Sequence, residues 1–168
     1  MITNIQRLIC AGNIFTQLSA GNSEGLNNNQ ALSRIEEQKP KLICFVVYGQ
    51  NVNAGTSSMK GAVDLANYIK DNMQNYKIAF VGSHVQALPI KTLKEEKNID
   101  IVFTNEGVYA LKNILKLKKF DDKSLETING IAFKDINGNC KINSPEKIVP
   151  KDKMDEDLPG YAWELLPY

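Results

Sequence analysis

The chain is poor in the residues that would give its chemistry away. It has one histidine and three cysteines in 168 residues, and Cys10, Cys44 and Cys140 lie far apart with no CxxC spacing. That pattern supports neither a disulfide framework nor a zinc or iron–sulfur site, and it suits a reducing cytoplasm. Charge of one sign is missing too: twenty basic residues face nineteen acidic ones, net +1, and no long block of either appears. A nucleic-acid footprint is therefore not expected. No apolar run approaches the roughly 18 to 20 residues of a membrane helix, and the first residues lack a basic flank with an apolar segment behind it. No membrane association is expected. Neither GxGxxG nor a P-loop occurs; Gly49 and Gly55 enclose five residues rather than four, and Thr56, not Lys, follows.

What is present is an alternation of apolar runs and helical repeats long enough for a domain with its own core. Leu42 to Tyr48 is unbroken apolar sequence rich in Val, Ile and Phe, as in a strand covered on both faces, and such a strand belongs at the centre of a parallel sheet. Nine small or amide residues follow from Gly49. A helical repeat then opens at Met59, with Ala62, Val63, Ala66, Ile69 and Met73 in phase. At the carboxyl end of a parallel strand such a connection lies where ligands bind. Gly49, Gln50, Asn51, Asn53, Gly55, Thr56 and Ser57 bring hydrogen-bonding groups and backbone access without charge, which fits a large polar guest.

Before this strand, residues 2–12 carry helix-like spacing, residues 14–18 read as a short strand, and a helix is expected near Gln30 to Gln38, capped from the Asn27-Asn28-Asn29 run and ended by Pro40. After it come a strand at Lys77 to Val81 with the loop Gly82-Ser83-His84, a short helix within Leu88 to Lys97 that tolerates Pro89 in its first turn, and a strand at Ile99 to Phe103. The loop Thr104-Asn105-Glu106-Gly107 leads to a helix marked by Val108, Leu111, Ile114, Leu115 and Phe120. Gly130 to Phe133 and Lys141 to Asn143, around Asp135-Ile136-Asn137-Gly138-Asn139, read as a hairpin. Four of the six prolines fall after residue 144, and that stretch reads as an extended tail with an aromatic end.

Three loops at equivalent strand ends, GQNVNAGTS, VGSHVQALP and TNEG, precede the hairpin and a PGYAWELLP tail. In this order they resemble the amino-terminal cobalamin-binding domain of cobalamin-dependent radical S-adenosylmethionine enzymes. The matched residues are Gly82, His84, Ala87, Leu88 and Pro89, then Glu106 and Gly107, then Ala162, Trp163, Leu165, Leu166 and Pro167, over about residues 20 to 168. The resemblance implies an α/β, Rossmann-like (flavodoxin-type) three-layer sandwich with a mostly parallel sheet of four strands or so, a C-terminal β-hairpin and an extended tail. It divides the chain into a domain at 1–144 and a linker at 145–168, leading to a radical S-adenosylmethionine catalytic domain absent from this sequence.

By the same resemblance the cofactor is cobalamin, which in the family passes a methyl group or supports radical chemistry; S-adenosylmethionine and a 4Fe–4S cluster would be held by the catalytic part. Its site would comprise Tyr48, Gly49, Gln50, Asn51, Asn53, Gly55, Thr56 and Ser57, then Gly82, Ser83, His84 and Leu88, then Asn105, Glu106 and Gly107. A corrin is a broad apolar disc rimmed with amides, so an uncharged loop matches it. The chain departs from the family in having no Asp-x-His-x-x-Gly motif, which leaves the cobalt's lower ligand open and calls for a histidine-free mode. Val81 stands before Gly82 and Ser83 before His84 where the family's Gly-Gly-Pro-His-like loop has its other Gly and its Pro. The sequence begins after the position of the family's first strand and stops where its CxxxCxxC site should start. By itself the chain is expected to catalyse nothing. Two other readings stand beside this one: a truncated structural or interaction remnant, dimerising through an exposed sheet edge, and a flavin- or nucleotide-binding flavodoxin-like module.

Overall fold

The computed structural model describes residues 27–48 and 52–158, residues 52–57 by their backbone alone. The chain divides into two compact units, one of residues 41–148 and one of residues 1–40 with 149–168.

In the second of these, helix α1 spans Asn28–Gln38. Asn27 Oδ1 accepts from the Gln30 backbone N–H at 3.0 Å while Gln30 Oε1 accepts from the Asn27 N–H at 2.9 Å, a reciprocal cap that satisfies two amides the helix itself cannot. Lys39, left-handed at φ 45°, closes the other end just before Pro40, as the sequence suggests. The expected helix at 2–12 and strand at 14–18 lie outside the described residues. Lys151–Lys153 form a 3-10 turn and Met154–Asp157 a short helix, where an extended run was expected. Lys153 Nζ holds Glu156 at 2.7 Å across this turn.

The larger unit is built on a five-stranded mixed sheet. Its elements are β1 (Leu42–Val46), α2 (Val52–Asn72), β2 (Lys77–Val81), α3 (Ser83–Ala87), α4 (Pro89–Glu95), β3 (Ile101–Phe103), α5 (Val108–Leu115), α6 (Asp122–Glu126), β4 (Ile131–Lys134) and β5 (Cys140–Ile142). Strand order follows sequence order; β1–β2 and β2–β3 are parallel, β3–β4 and β4–β5 antiparallel. One register line crosses the sheet through Phe45, Phe80, Val102, Ala132 and Ile142. Phe45 and Phe80 stack on it with ring centroids 4.8 Å apart.

The α/β architecture expected from the sequence is observed, with four differences of detail. First, the strand placed at the centre is not there. Among the described residues β1 has a ladder partner only on its β2 side, and its residues are half-buried or exposed. The dry centre is Ile78 to Phe80 of β2, all of β3, and Ile131 to Phe133 of β4, each at 0% exposure. Second, the hairpin does not stand beside the sheet but extends it: β4 pairs with β3 and β5 with β4, which satisfies the β4 backbone in the plane of the sheet and makes the buried Ile131, Ala132 and Phe133 part of its interior.

Third, α2 starts at Val52 rather than Met59, so Asn53, Gly55, Thr56 and Ser57 belong to a helix and not to a loop. Val52 stands seven residues before Met59, two helical turns, which carries the repeat back through a polar stretch. The Ser83 and His84 positions, expected in a loop, likewise open the short helix α3. Fourth, the helix expected to run to Phe120 stops at Leu115, and the chain starts again at α6. Asp121 causes the restart by accepting the Ser124 N–H at 2.9 Å as N-cap.

The amino ends of β2 and β3 are stitched by two charged side chains. Asp100 accepts the Ile78 N–H at 2.8 Å and pairs with Lys70 at 2.8 Å and Lys77 at 3.3 Å. Lys134 Nζ donates to the Glu96 and Lys97 carbonyls at 2.6 and 2.8 Å, closing the carboxyl end of α4.

Candidate functional site

The carboxyl ends of β1, β2 and β3 meet in direct contact. The Val47 N–H donates to Val81 O at 2.8 Å, and Gly82, in an extended conformation at φ 156° and ψ 170°, lies so close that a Cβ there would stand 2.0 Å from the Val47 carbonyl oxygen. Only glycine permits that approach. Next along the edge, Gly107 takes a left-handed φ of 80°, and a Cβ there would meet Val81 Cγ2 at 3.1 Å and the Phe103 ring at 3.3 Å. The three turns therefore share one edge of the sheet.

Side chains meet there as well. Burial pushes the Tyr48 phenol above its ordinary pKa, and the Glu106 carboxylate and then Cys44 push in the same direction, so the end of β1 and the β3 turn lie in one electrostatic neighbourhood. Tyr48 is 38% exposed and Val46 40%, an apolar ledge at the end of β1. Asn105 is engaged in its own turn: its Oδ1 accepts the Gly107 N–H at 2.9 Å and its Nδ2 donates to Glu146 O at 3.1 Å. Glu146 also accepts from Asn113 Nδ2 at 3.2 Å, so the strap that follows β5 is tied to this edge. Motif reading singled out neither Val47, whose carbonyl receives Gly82, nor Glu146. Gly82 hinted at the first, since a glycine directly after a buried strand often marks close backbone approach.

The residues expected to form the site are distributed as follows. Tyr48, Gly82, Glu106 and Gly107 are brought together at the edge, and Asn105 lies beside them with its amide used by the fold. Ser83, half-buried, is the first residue of α3, and Leu88, 42% exposed, is the junction of α3 and α4. His84 borders a hollow between α2, α3 and α4. Asn53, Gly55, Thr56 and Ser57 occupy the first two turns of α2. Gly49, Gln50 and Asn51 lie outside the described residues. Among the described residues no group of three or more His, Cys, Asp or Glu side chains is arranged to hold a metal ion, and no helix is long and apolar enough to cross a membrane.

This geometry can be set beside known proteins. No family model matches the chain. Its sequence is 30% identical over 117 residues to an uncharacterized methyltransferase, PH0819, of Pyrococcus horikoshii, covering 69% of this chain and 24% of that protein. It is 25% identical over 133 residues to the 4'-phospho-dehydrooxetanocin synthase of Priestia megaterium, covering 77% of this chain and 17% of that enzyme. Among solved structures it matches OxsB with aqua-cobalamin and S-adenosylmethionine bound, at a TM-score of 0.55 and 22% identity, over 80% of this chain and 17% of that one. The fold resembles part of a cobalamin-dependent radical enzyme. Motifs and fold thus point to the same relatives, as the sequence resemblance implies. The chain spans a quarter or less of the length of these relatives.

Proposed function

We propose that this chain binds cobalamin at the carboxyl edge of its parallel strands, as an accessory module of a radical S-adenosylmethionine enzyme of methyltransferase type. The observation that carries the reading is the junction of Val47, Gly82 and Gly107, which gathers three turns on one edge under the exposed Tyr48 and Val46. The likeness of fold to OxsB, whose solved structure contains aqua-cobalamin, supports it. The edge suits the group: apolar side chains can lie under a corrin, and backbone and amide groups can meet its rim.

In this reading Tyr48 and Val46 form the ledge, Gly82 keeps β2 close enough to extend it, and Leu88 adds apolar surface next to α3. Gly49, Gln50, Asn51, Asn53, Thr56 and Ser57 supply uncharged hydrogen-bonding partners, and Glu106 and Gly107 close the far side. His84 contacts the cofactor's periphery and is not its cobalt ligand. Bound there, cobalamin would supply methyl-transfer or radical chemistry to a catalytic domain that carries S-adenosylmethionine and a 4Fe–4S cluster.

Titrating aquacobalamin with the chain tests this. A change in the visible spectrum and saturable heat are expected, with Tyr48→Ala weakening the affinity about tenfold, or about 1.4 kcal/mol, without loss of fold. Silence in both measurements at about 100 μM of each partner, a concentration that would detect affinities down to roughly that value, overturns the reading.

A second reading follows from β1, which has no ladder partner on its outer side among the described residues. An unpaired strand edge is a template for another strand, so the chain would dimerise through β1. Sedimentation equilibrium distinguishes the two, since a monomer that binds cobalamin removes the second.

A further inference from the structure

The strap that follows β5 is fastened at successive residues. The Asn143 N–H donates to Ile131 O at 3.0 Å, and its Nδ2 donates to the carbonyls of Leu125 and Ile128 at 2.8 and 2.6 Å. Ser144 O accepts the Gly130 N–H at 2.8 Å. Pro145 fixes its own φ and disfavours a helical turn at Ser144, and the next residue is Glu146. Gly130, left-handed at φ 76°, makes room for it, since a Cβ there would stand 2.5 Å from the Glu146 Cβ.

Glu146 then binds with both its backbone and its side chain. Its carbonyl accepts from Asn105 Nδ2 at 3.1 Å, while Oε1 accepts the Lys147 N–H at 2.8 Å and Oε2 accepts from Asn113 Nδ2 at 3.2 Å. Asn105 and Asn113 lie on either side of the Glu106–Gly107 turn, one at the end of β3 and one on α5. The Asn105 amide is held at both ends, because its Oδ1 accepts the N–H of the buried Gly107 at 2.9 Å. It cannot rotate without breaking two bonds and leaving that buried N–H unpaired.

We propose that Glu146 is a positioning residue of the carboxyl edge: by clamping Asn105 and Asn113 it fixes the Glu106–Gly107 turn in the shape that the cofactor meets. Its consequence for a ligand rests on the cobalamin reading, and its hold on the turn does not. The carboxylate pins the strap to α5, and the strap's carbonyl in turn pins Asn105.

The test follows the Glu106 and Gly107 amides of the cofactor-free chain by chemical shift and hydrogen exchange, and the Kd for aquacobalamin by titration. Glu146→Ala should shift both amides, speed Gly107 exchange about tenfold and weaken aquacobalamin about fivefold or more. Asn113→Asp, which sets two carboxylates face to face, should do the same. Glu146→Gln should stay within about twofold of the parent, because the Asn113 amide can turn to accept from it, and Asn113→Asp/Glu146→Gln should recover, since the glutamine amide then donates to the new carboxylate. Lys134→Met, which weakens the fold at the opposite end of the sheet, should lower the melting temperature and leave both amides and the affinity unmoved. Unmoved amides or unmoved affinity in Glu146→Ala, no recovery in the double variant, or an equal effect from Lys134→Met overturns the role of Glu146 and leaves the cobalamin reading standing. A parent that takes up no aquacobalamin overturns the cobalamin reading and with it the consequence for a ligand, and the amides alone then decide the hold on the turn.

Discussion

The two ends of the parallel strands are built by opposite rules. At the amino end polar groups are consumed by one another: Asp100 engages Lys70, Lys77 and the Ile78 N–H, and Lys134 covers two carbonyls at the end of α4. At the carboxyl end the work is done by missing side chains, with Gly82 against Val47 and Gly107 against Val81 and Phe103, while Tyr48 and Leu88 remain exposed. One end closes the fold, and the other brings turns together and leaves apolar surface open. The surface of the second end can therefore change without the first giving way.

The comparison can be broken most forcefully at Gly82. Gly82→Ala places a Cβ 2.0 Å from a backbone oxygen that cannot move without parting β1 from β2, and a loss above about 4 kcal/mol or outright unfolding is expected in urea. If the variant is as stable as the parent, close approach is not what joins the turns. Asp100→Ala comes next. It leaves Lys70, with its side chain 16% exposed, and the Ile78 amide without their carboxylate, and a loss of about 3 kcal/mol is expected. Cobalamin affinity, measured on the folded fraction, should not change. An altered affinity would show that the two ends are coupled.

Lys134→Met should cost about 1 to 2 kcal/mol, because it strips the half-buried Glu96 carbonyl, and with it the exposed Lys97 carbonyl, of its donor. Burial also holds the Lys134 ammonium below its ordinary pKa, so just below pH 10.5 the folded chain binds fewer protons than the unfolded one and stability rises with pH. The variant should lose that rise. Cys44 works the other way, since burial raises its thiol from 9.0 to about 12. An unfolded thiol ionises first, so the folded chain binds more protons between pH 9 and 12, and Cys44 withdraws its contribution as pH climbs through that window. Urea midpoints of Cys44→Ala and the parent, read side by side across it, should converge or cross in the variant's favour; parallel curves would show that Cys44 is not shielded.

Local signals were legible where a residue type has only one comfortable place. The Asn27-Asn28-Asn29 run marks a helix start, Pro40 its end, Pro89 the first turn of α4, and Asp135 to Asn139 with Gly138 a hairpin turn, in which Asp135 Oδ1 accepts from the amides of Asn137 and Asn139 at 2.9 and 2.8 Å. The start of α2 was not legible, because Asn53, Gly55, Thr56 and Ser57 are weak helix formers by themselves and the helix there is decided by context. Of the candidate site, the glycines and their turns could be read, but the engagement of Asn105 by Glu146 could not. It depends on a residue that approaches only after folding.

By itself the sequence determined that there would be apolar strands alternating with helices, where most of them lie, and which turns carry glycine, since these follow from side-chain period and backbone sterics within a few residues. Only the tertiary structure decided that β2, β3 and β4 rather than β1 form the dry centre, that the hairpin joins the sheet, and that Asp100, Lys70 and Lys77 share one end of it. An apolar run records that a strand is to be covered, but not by which neighbour, and that choice is made by packing between segments remote along the chain.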